Sequence, residues 1–589
     1  MKTAKFIHVL NNRTFFLILY GVLLALALIP YYTDGCLILG GEGDYVLDYS
    51  THLSKCGFLW LSHWGTGVQN LSPCGTGLNI LLLWLVEKLT GSASLTNFVL
   101  IFSIYFFPFL AMYLVCKELK TTPFISFISS LFYIVNPFML YYLNCINQWN
   151  VFSVTVMPLF LWVILKYYHS NFKLFFFFGI ISACFSFAYT NQPLLAIILI
   201  SIVLSIFMVS YYRNKKLIFA EIFKKYGIVL VSFLVFNCWW VLNAFWAITE
   251  AKKIYSRSFA GGWLSATVGD HRSLIAEMFS LTTIVGDNPF YDFFTYWYST
   301  ILARLITLVP ILMIVYFVLI AKDKRTRNLL NCAILGVLLI VLFFVKGNLA
   351  PFGFIYNFMF KHLPFFYIFK SPIAKFGRLY LFIFSVLLLF VIRGINHYKH
   401  YKPILGLFIF YLIFCSMPVI TGNIIPDYSI GSYGRVSRKY KDKVEYKQAR
   451  ELINSDNFQY RVLSLPGSGN YSVCLLNRDH KYYTGIDPVL MNIKKAFIAP
   501  EHGRLLYDAI SSNDYRKLLG IYNIGKIMIK EDLVHWFGHV GIGDAHELKN
   551  MFSKFMPSKN LGPITIYNNH DDFLPRVYTS DVLIEENNN

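Results

Sequence analysis

Apolar runs of a length able to cross a bilayer, about 20 residues, recur along the first 420 positions of the chain and then stop. They lie near 14–32, 94–116, 124–143, 151–167, 174–189, 194–212, 228–248, 300–321, 329–345, 377–393 and 403–420. This pattern predicts an α-helical polytopic membrane protein with about 11 transmembrane helices over residues 1–420. Three connecting segments are long and polar, at 33–93, 249–299 and 346–376. From about residue 428 the pattern changes. Strand-like YRVLSL (460–465), KIMIK (526–530) and ITIYNN (564–569) alternate with helix-like KVEYKQARELI (443–453) and GRLLYDAISS (503–512), which predicts a C-terminal α/β domain over 421–589.

Charge placement gives this pattern a direction. Lys2, Lys5 and Arg13 precede the first run, and basic residues return after every second run, at Lys117 and Lys120, at Lys166 and Lys173, from Arg213 to Lys225, from Lys322 to Arg327, and from Arg393 to Lys402. The intervening loops 144–150 and 190–193 carry none. Basic residues concentrate on the cytoplasmic side, so the expected N-terminus is cytoplasmic and, with an odd number of spans, the C-terminal domain is extracytoplasmic. The first run fits an uncleaved anchor as well as a signal peptide. The chain is 56% hydrophobic and only 14% charged, against roughly a quarter charged in soluble domains, which places it in a cell membrane as a multi-pass protein. Its net charge of +20 punctuates apolar runs rather than forming a basic face, and this excludes nucleic acid as the expected partner.

Ten cysteines carry no C-x-x-C spacing. Cys116, Cys184, Cys238, Cys332 and Cys415 read as small core residues, whereas Cys56 and Cys74 share one outside loop and leave a disulfide open.

The chemistry-bearing residues gather in the outside loops. At 100° per residue, the segment from Gly40 to Trp64 places Asp44, Thr51 and Lys55 on one side with Asp48 and His52 adjoining, and Tyr49, Leu53 and Cys56 on the other. This predicts an amphipathic helix on the membrane surface. Its carboxylates at i and i+4 suit a general base or oxygen ligands for a divalent cation, and equally an ordinary solvated face. No cofactor is otherwise expected. The 346–376 loop holds Lys346, Lys361, His362, Lys370 and Lys375, with Arg378 at the membrane edge, against the positive-inside bias. An anionic phosphate or diphosphate accounts for that exception, as does snorkelling to lipid headgroups. In 249–299, Asp270 and Arg272 stand among aromatics such as Trp263 and Trp297, as in a sugar-binding wall or an interfacial belt.

This arrangement resembles the GT-C superfamily of membrane glycosyltransferases, on the strength of the GEGDYVLD segment (41–48) and the FKSPIAKF stretch (369–376). The second stretch, with YRVLSLP (460–466), is similar to membrane arabinofuranosyltransferases and YfhO-like proteins. The resemblance implies a polyprenyl-phosphate sugar donor, a glycan or glycolipid acceptor, and a catalytic base after the first span. The best match for that base is Asp44, followed by Asp48 and then Asp34. It further implies inverting displacement, with Lys370, Lys375 and Arg378 stabilising the leaving phosphate; His52, Asp270 and Arg272 are the other candidate substrate-lining residues of the outside loops. The chain lacks a clean Asp-x-Asp or Asp-Glu pair. Two other readings stay open: a transporter or flippase for a lipid-linked glycan, which predicts ionisable residues inside the spans, and a non-catalytic cell-envelope scaffold.

Overall fold

A computed structural model of the 589-residue chain describes residues 13–38, 47–56, 60–61, 68–69, 71–144, 148–189, 192–214, 218–254, 301–320, 329–363, 366–395, 401–421, 428–429, 435–437, 439–455, 460–466, 472–476, 482–498, 515–533, 544–554 and 556–569, with a few isolated positions besides. Two compact units emerge, one of Met1–Asp34 with Leu71–Arg435 and the other of Gly35–Asn70 with Val436–Asn589.

The first unit is helical. Along the chain come α1 (Arg13–Leu28), then, after an excursion that contains α2 (Tyr49–Cys56), α3 (Leu71–Thr90), α4 (Ala93–Glu118), α5 (Pro123–Ile134), α6 (Pro137–Asn144), α7 (Gln148–Tyr167), α8 (Asn171–Cys184), α9 (Gln192–Asn214) and α10 (Phe219–Ile254). There follow α11 (Ile301–Thr307), α12 (Val309–Ile320), α13 (Leu329–Val345), α14 (Gly353–His362), α15 (Pro372–Ile395) and α16 (Tyr401–Ile420). Every apolar run falls on one of these helices or on a consecutive pair. Among the described residues five helices are long and apolar enough to cross a membrane, at Arg13–Tyr31, Ala93–Glu118, Pro193–Asn214, Pro372–Ile395 and Tyr401–Ile420, and six if the bent pair α11 and α12 counts as one. Others, such as Pro123–Ile134 and Asn171–Cys184, are apolar but shorter. Of the eleven expected spans, five thus fall on single span-length helices among the described residues. Helix α3 lies inside the segment read as loop 33–93; Glu87 and Lys88 dilute its apolar run.

Side chains at the helix ends explain the periodic basic residues. Arg13 Nη2 donates to Thr121 O at 2.9 Å, Arg393 Nη1 to Leu119 O at 3.0 Å, and Arg213 Nη2 to Leu165 O at 2.8 Å. Each meets a carbonyl at or just beyond a helix end. With the Tyr212 and Phe390 rings 6.5 Å apart, these contacts gather the start of α1 and the ends of α4, α7, α9 and α15 at one end of the unit. Close helix approach depends on small residues: a Cβ on Gly377 of α15 would stand 2.6 Å from the ring of Phe138 in α6. Cys116 and Cys415 are buried as expected, but Cys184 and Cys238 are exposed, because both sit on outward helix faces. The side chains of Cys56 and Cys74 lie outside the described residues.

The strands, in chain order, are β1 (Leu37–Ile38), β2 (Trp60–Leu61), β3 (Val68–Gln69), β4 (Tyr428–Ser429), β5 (Arg435–Ser437), β6 (Lys439–Tyr440), β7 (Arg461–Leu465), β8 (Ser472–Leu476), β9 (Tyr482–Ile486), β10 (Ala496–Ile498), β11 (Ile524–Lys530), β12 (Ser558–Leu561) and β13 (Ile564–Asn568). The second unit is built on a mixed sheet of order β10-β7-β11-β13-β12, in which β10, β7 and β11 are parallel and β13 and β12 antiparallel to their neighbours. Every residue of β7 and β11 is buried, as in parallel strands covered on both faces. Helices α17 (Val444–Asn454), α18 (Arg516–Ile521) and α19 (Ala545–Ser553) accompany the sheet, and Leu463, Leu465, Ile527, Ile529, Phe552 and Tyr567 share its core.

Residues 35–70 cluster with 436–589 rather than with the helices. The cause is backbone pairing, since Leu37 and Ile38 of β1 face Tyr440 and Lys439 of β6 in an antiparallel ladder.

Among the described residues of the second unit, Lys530 and Asp487 are the most deeply buried charges. Lys530 Nζ, at the end of β11, contacts Asp487 Oδ2, with side-chain exposures of 0% and 2%. Burial pulls the Lys530 ammonium down to about 7, opposed by the negative charge of Asp532. Asp487 Oδ1 accepts from the amides of Val489 at 2.9 Å and Leu490 at 3.1 Å. Removing one member of a buried pair strands the other and costs about 3–5 kcal/mol, whereas a partly exposed pair such as Arg450–Asp442 contributes about 0–1 kcal/mol. In the full chain, Asp487→Asn is expected to speed amide exchange in β7 and β11 by at least about a hundredfold, and Asp442→Asn by less than about tenfold. Equal effects from the two substitutions would contradict the ranking.

Candidate functional site

The acidic segment is part of the second unit. Helix α2 begins at Tyr49, and Asp48 stands immediately before it as its cap: Asp48 Oδ1 accepts from the Thr51 amide at 3.1 Å and Oδ2 from the Thr51 hydroxyl at 2.5 Å. Asp is a favoured N-cap because its carboxylate meets amides that have no intrahelical partner. The His52 amide donates to Asp48 O at 3.2 Å, which joins two expected site residues in one turn.

This corrects the single amphipathic helix expected from Asp44 onward. Asp48 precedes the helix rather than lining its wet face, and Thr51 is buried at 3% exposure together with Tyr49. Both are covered because α2 packs against the turn at Leu490–Asn492. There Asn492 Oδ1 accepts from the amides of Leu47 at 2.8 Å and Asp48 at 3.2 Å. Asp44, Asp270 and Arg272 lie outside the described residues, as does the side chain of Asp34.

The cationic segment belongs to the helical unit. Lys346 is turned inward, donating to Leu349 O at 2.7 Å and contacting Pro351 O, with the Phe343 ring 4.9 Å away. It closes the loop after α13, and burial holds its ammonium below the ordinary lysine range. Helix α14 is anchored by the Tyr356 hydroxyl, which donates to Phe369 O at 2.7 Å, while Phe354 and Phe358 remain exposed. Lys370 follows, half-buried, with its ammonium likewise pulled down by desolvation. Lys375 occupies the first turn of α15, its amide donating to Ser371 O at 3.3 Å.

Arg378 differs from the membrane-edge residue expected from sequence. It sits in the second turn of α15 at 1% exposure, and its Nη1 donates to Ser153 Oγ of α7 at 2.6 Å. A snorkelling arginine keeps its head in water; this one is enclosed by protein. The same two helices bury the Thr155 and Tyr380 hydroxyls, neither of which has a hydrogen-bond partner among the described residues. Buried polar groups of that kind mark places where water or a polar ligand is expected.

Asp48 and His52 are thus brought together in the second unit, and Lys370, Lys375 and Arg378 along one stretch of the first. Among the described residues no three His, Cys, Asp or Glu side chains converge as a metal site. Sequence reasoning passed over Ser153 and Asn492. The signals were weak: a serine and a threonine two apart in the apolar run of α7, and an Asp-Pro pair at 487–488 closing a strand. A hydrogen bond to a charged group contributes about 1.5–3 kcal/mol. Ser153→Ala is therefore expected to lower the thermal midpoint of the detergent-solubilised chain by several degrees, with Ser153→Thr recovering part of it; identical midpoints for all three proteins would deny the contact any energetic role.

No protein-family model and no curated protein sequence matches the chain. Among solved structures, it is similar to the cryo-EM structure of arabinofuranosyltransferase AftD from Mycobacteria, with a TM-score of 0.59 at 12% identity, covering 94% of this chain and 40% of that one. Structures of a mutant of the same enzyme give TM-scores of 0.58 and 0.57 at 13% and 12% identity, over 93% and 95% of this chain. The chain therefore spans about two fifths of the length of that enzyme. At such identity the likeness is one of fold alone, shared with that arabinofuranosyltransferase structure over nearly the whole of this chain.

Proposed function

We propose that the protein is a membrane glycosyltransferase that moves a sugar from a polyprenyl-phosphate donor to an extracytoplasmic glycan, lipid or protein acceptor with inversion at the anomeric carbon. The observation that carries the reading is Arg378, a guanidinium buried in a long apolar helix. An ionisable group in that setting marks a functional site, and a guanidinium matches phosphate oxygens better than any other side chain.

In this reading Asp44, or failing it Asp48, removes the proton of an acceptor hydroxyl as that oxygen attacks the anomeric carbon. The bond to the lipid phosphate breaks, and the phosphate leaves with the electron pair. Lys370, Lys375 and Arg378 stabilise the growing negative charge, each such donor contributing roughly 3–4 kcal/mol when preorganised. Lys370 suits this role because desolvation already disfavours its charge, so an arriving anion is met by a strong pairing. His52, Asp270 and Arg272 contact the acceptor. Asp48 has part of its carboxylate engaged by Thr51; Asp44 stands first on the resemblance of the GEGDYVLD segment. The N-terminus is cytoplasmic and the second unit extracytoplasmic, in keeping with the alternation of basic loops.

A second reading, translocation of a lipid-linked glycan, draws on the same buried Arg378, since charges inside spans are what a transporter requires. Transfer of radiolabelled sugar from polyprenyl-phosphate donors, in membranes with matched protein levels, separates the two. Asp44→Asn is expected to reduce transfer by about 10²–10⁴-fold and Arg378→Gln by about 10²-fold or more. Transfer that is unaffected by either substitution would remove the chemistry, and the absence of transfer from every donor together with lipid-glycan movement would install the translocator.

A further inference from the structure

Residues 35–70 leave the helices and fold with the C-terminal domain, and a continuous set of contacts runs from the core of that domain to the acidic segment. It starts at Lys530, the last residue of the fully buried strand β11, which contacts Asp487. Asp487 in turn receives the amides of Val489 and Leu490 and so fixes the short helical turn Leu490–Asn492. Asn492 is 4% exposed; its Nδ2 donates to Pro488 O at 2.9 Å, which sets the side-chain amide so that Oδ1 points at the amides of Leu47 and Asp48. A side chain that accepts from two successive amides dictates the local backbone path, as a backbone partner does in a sheet. On the other flank, β1 is held by its ladder with β6.

We propose that Asn492 is a positioning residue for the acidic segment: the C-terminal domain clamps the backbone at Leu47 and Asp48 through the Asn492 side chain, and this sets where the carboxylate of Asp48, the alternative base, is presented. The inference rests on the transferase reading only for its consequence in catalysis; the clamp itself is a statement about the second unit alone. It gives that domain a task other than binding glycan. Displacement of about 1 Å in a reacting group is enough to cost on the order of a hundredfold in rate, so a clamp two bonds wide is sufficient to govern turnover.

The test uses the full chain in detergent. Asn492→Leu removes the acceptor at similar volume, whereas Asn492→Asp keeps an acceptor for both amides. In Asn492→Leu, amide exchange at Leu47 and Asp48 is expected to rise by about ten- to a hundredfold, with β7, β11 and α15 unchanged; Asn492→Asp is expected to stay within a few-fold of the parent. With radiolabelled polyprenyl-phosphate sugar as the probe, kcat falls in Asn492→Leu while the donor KM holds, and Asn492→Asp restores it. Unchanged exchange at Leu47 and Asp48 in Asn492→Leu overturns the clamp. If Asn492→Leu also loses protection in β11, the decision passes to Asn492→Asp, where exchange as slow as the parent's supports the clamp and fast exchange with an intact β11 overturns it. Accelerated exchange with unaltered transfer supports the clamp and overturns the catalytic reading of the loop.

Discussion

A charge removed from water must be met inside the protein, and this constraint organises both units of the chain. Bringing an unpaired ion into a low-dielectric interior costs several kcal/mol even after relaxation, so such groups appear only where the surrounding structure meets them. In the helical unit the clearest example is Arg378, held against Ser153 between α15 and α7. In the second unit it is Lys530, held against Asp487 at the end of the central strand. Of the two contacts, the Lys530–Asp487 ion pair is not a stability device in the first instance, because well-packed apolar replacements of buried ion pairs are often as stable. Each fixes a geometry. Ser153 ties the second turn of α15 to α7, and Asp487 ties a turn to the end of β11, from which Asn492 reaches the acidic segment.

The same constraint distinguishes the cations that the sequence grouped together. Lys346 was one of a run of positive charges on the outside loop, yet its ammonium faces the carbonyls of Leu349 and Pro351 and ends α13. Arg13, Arg213 and Arg393 do comparable work at the other helix ends. A lysine that serves backbone carbonyls has little capacity left for a phosphate. Lys370 and Arg378 differ from it in place: they flank the start of α15, which among the described residues is the most completely enclosed of the membrane-length helices.

Sequence periodicity read the helices well because hydropathy acts locally: the apolar runs of α1, α4, α9, α15 and α16 each declare their own length. It read α3 poorly because Glu87 and Lys88 dilute the run, and it did not register the breaks between α5 and α6 and between α11 and α12, each of which falls inside a single apolar run. The strands at 461–465, 524–530 and 564–568 were legible from their β-branched residues. The acidic segment was misread in one instructive respect. A 100° plot assumes that the helix continues through Asp48, whereas the carboxylate of that residue competes for the amide of Thr51 and starts the helix there. The burial of Thr51 follows from a partner, Asn492, that lies more than 400 positions away, and no local pattern carries that information.

That long-range partner also changes what the C-terminal domain means. Read from sequence, it is an appended module with no recognisable ligand motif, and its function would be sought on its surface. The fold places residues 35–70 inside the same compact unit, so the first loop after α1 is completed only when residues 436 onward have been made. The loop at issue is the one that carries Asp48, and a segment with two-residue strands and one two-turn helix has little capacity to order itself, since short helices are marginal in water. Its order must come from β6, from the turn at 490–492 and, behind them, from β11. The domain is on this argument an internal part of the acidic site, and the buried pair of Lys530 and Asp487 is where that support is rooted.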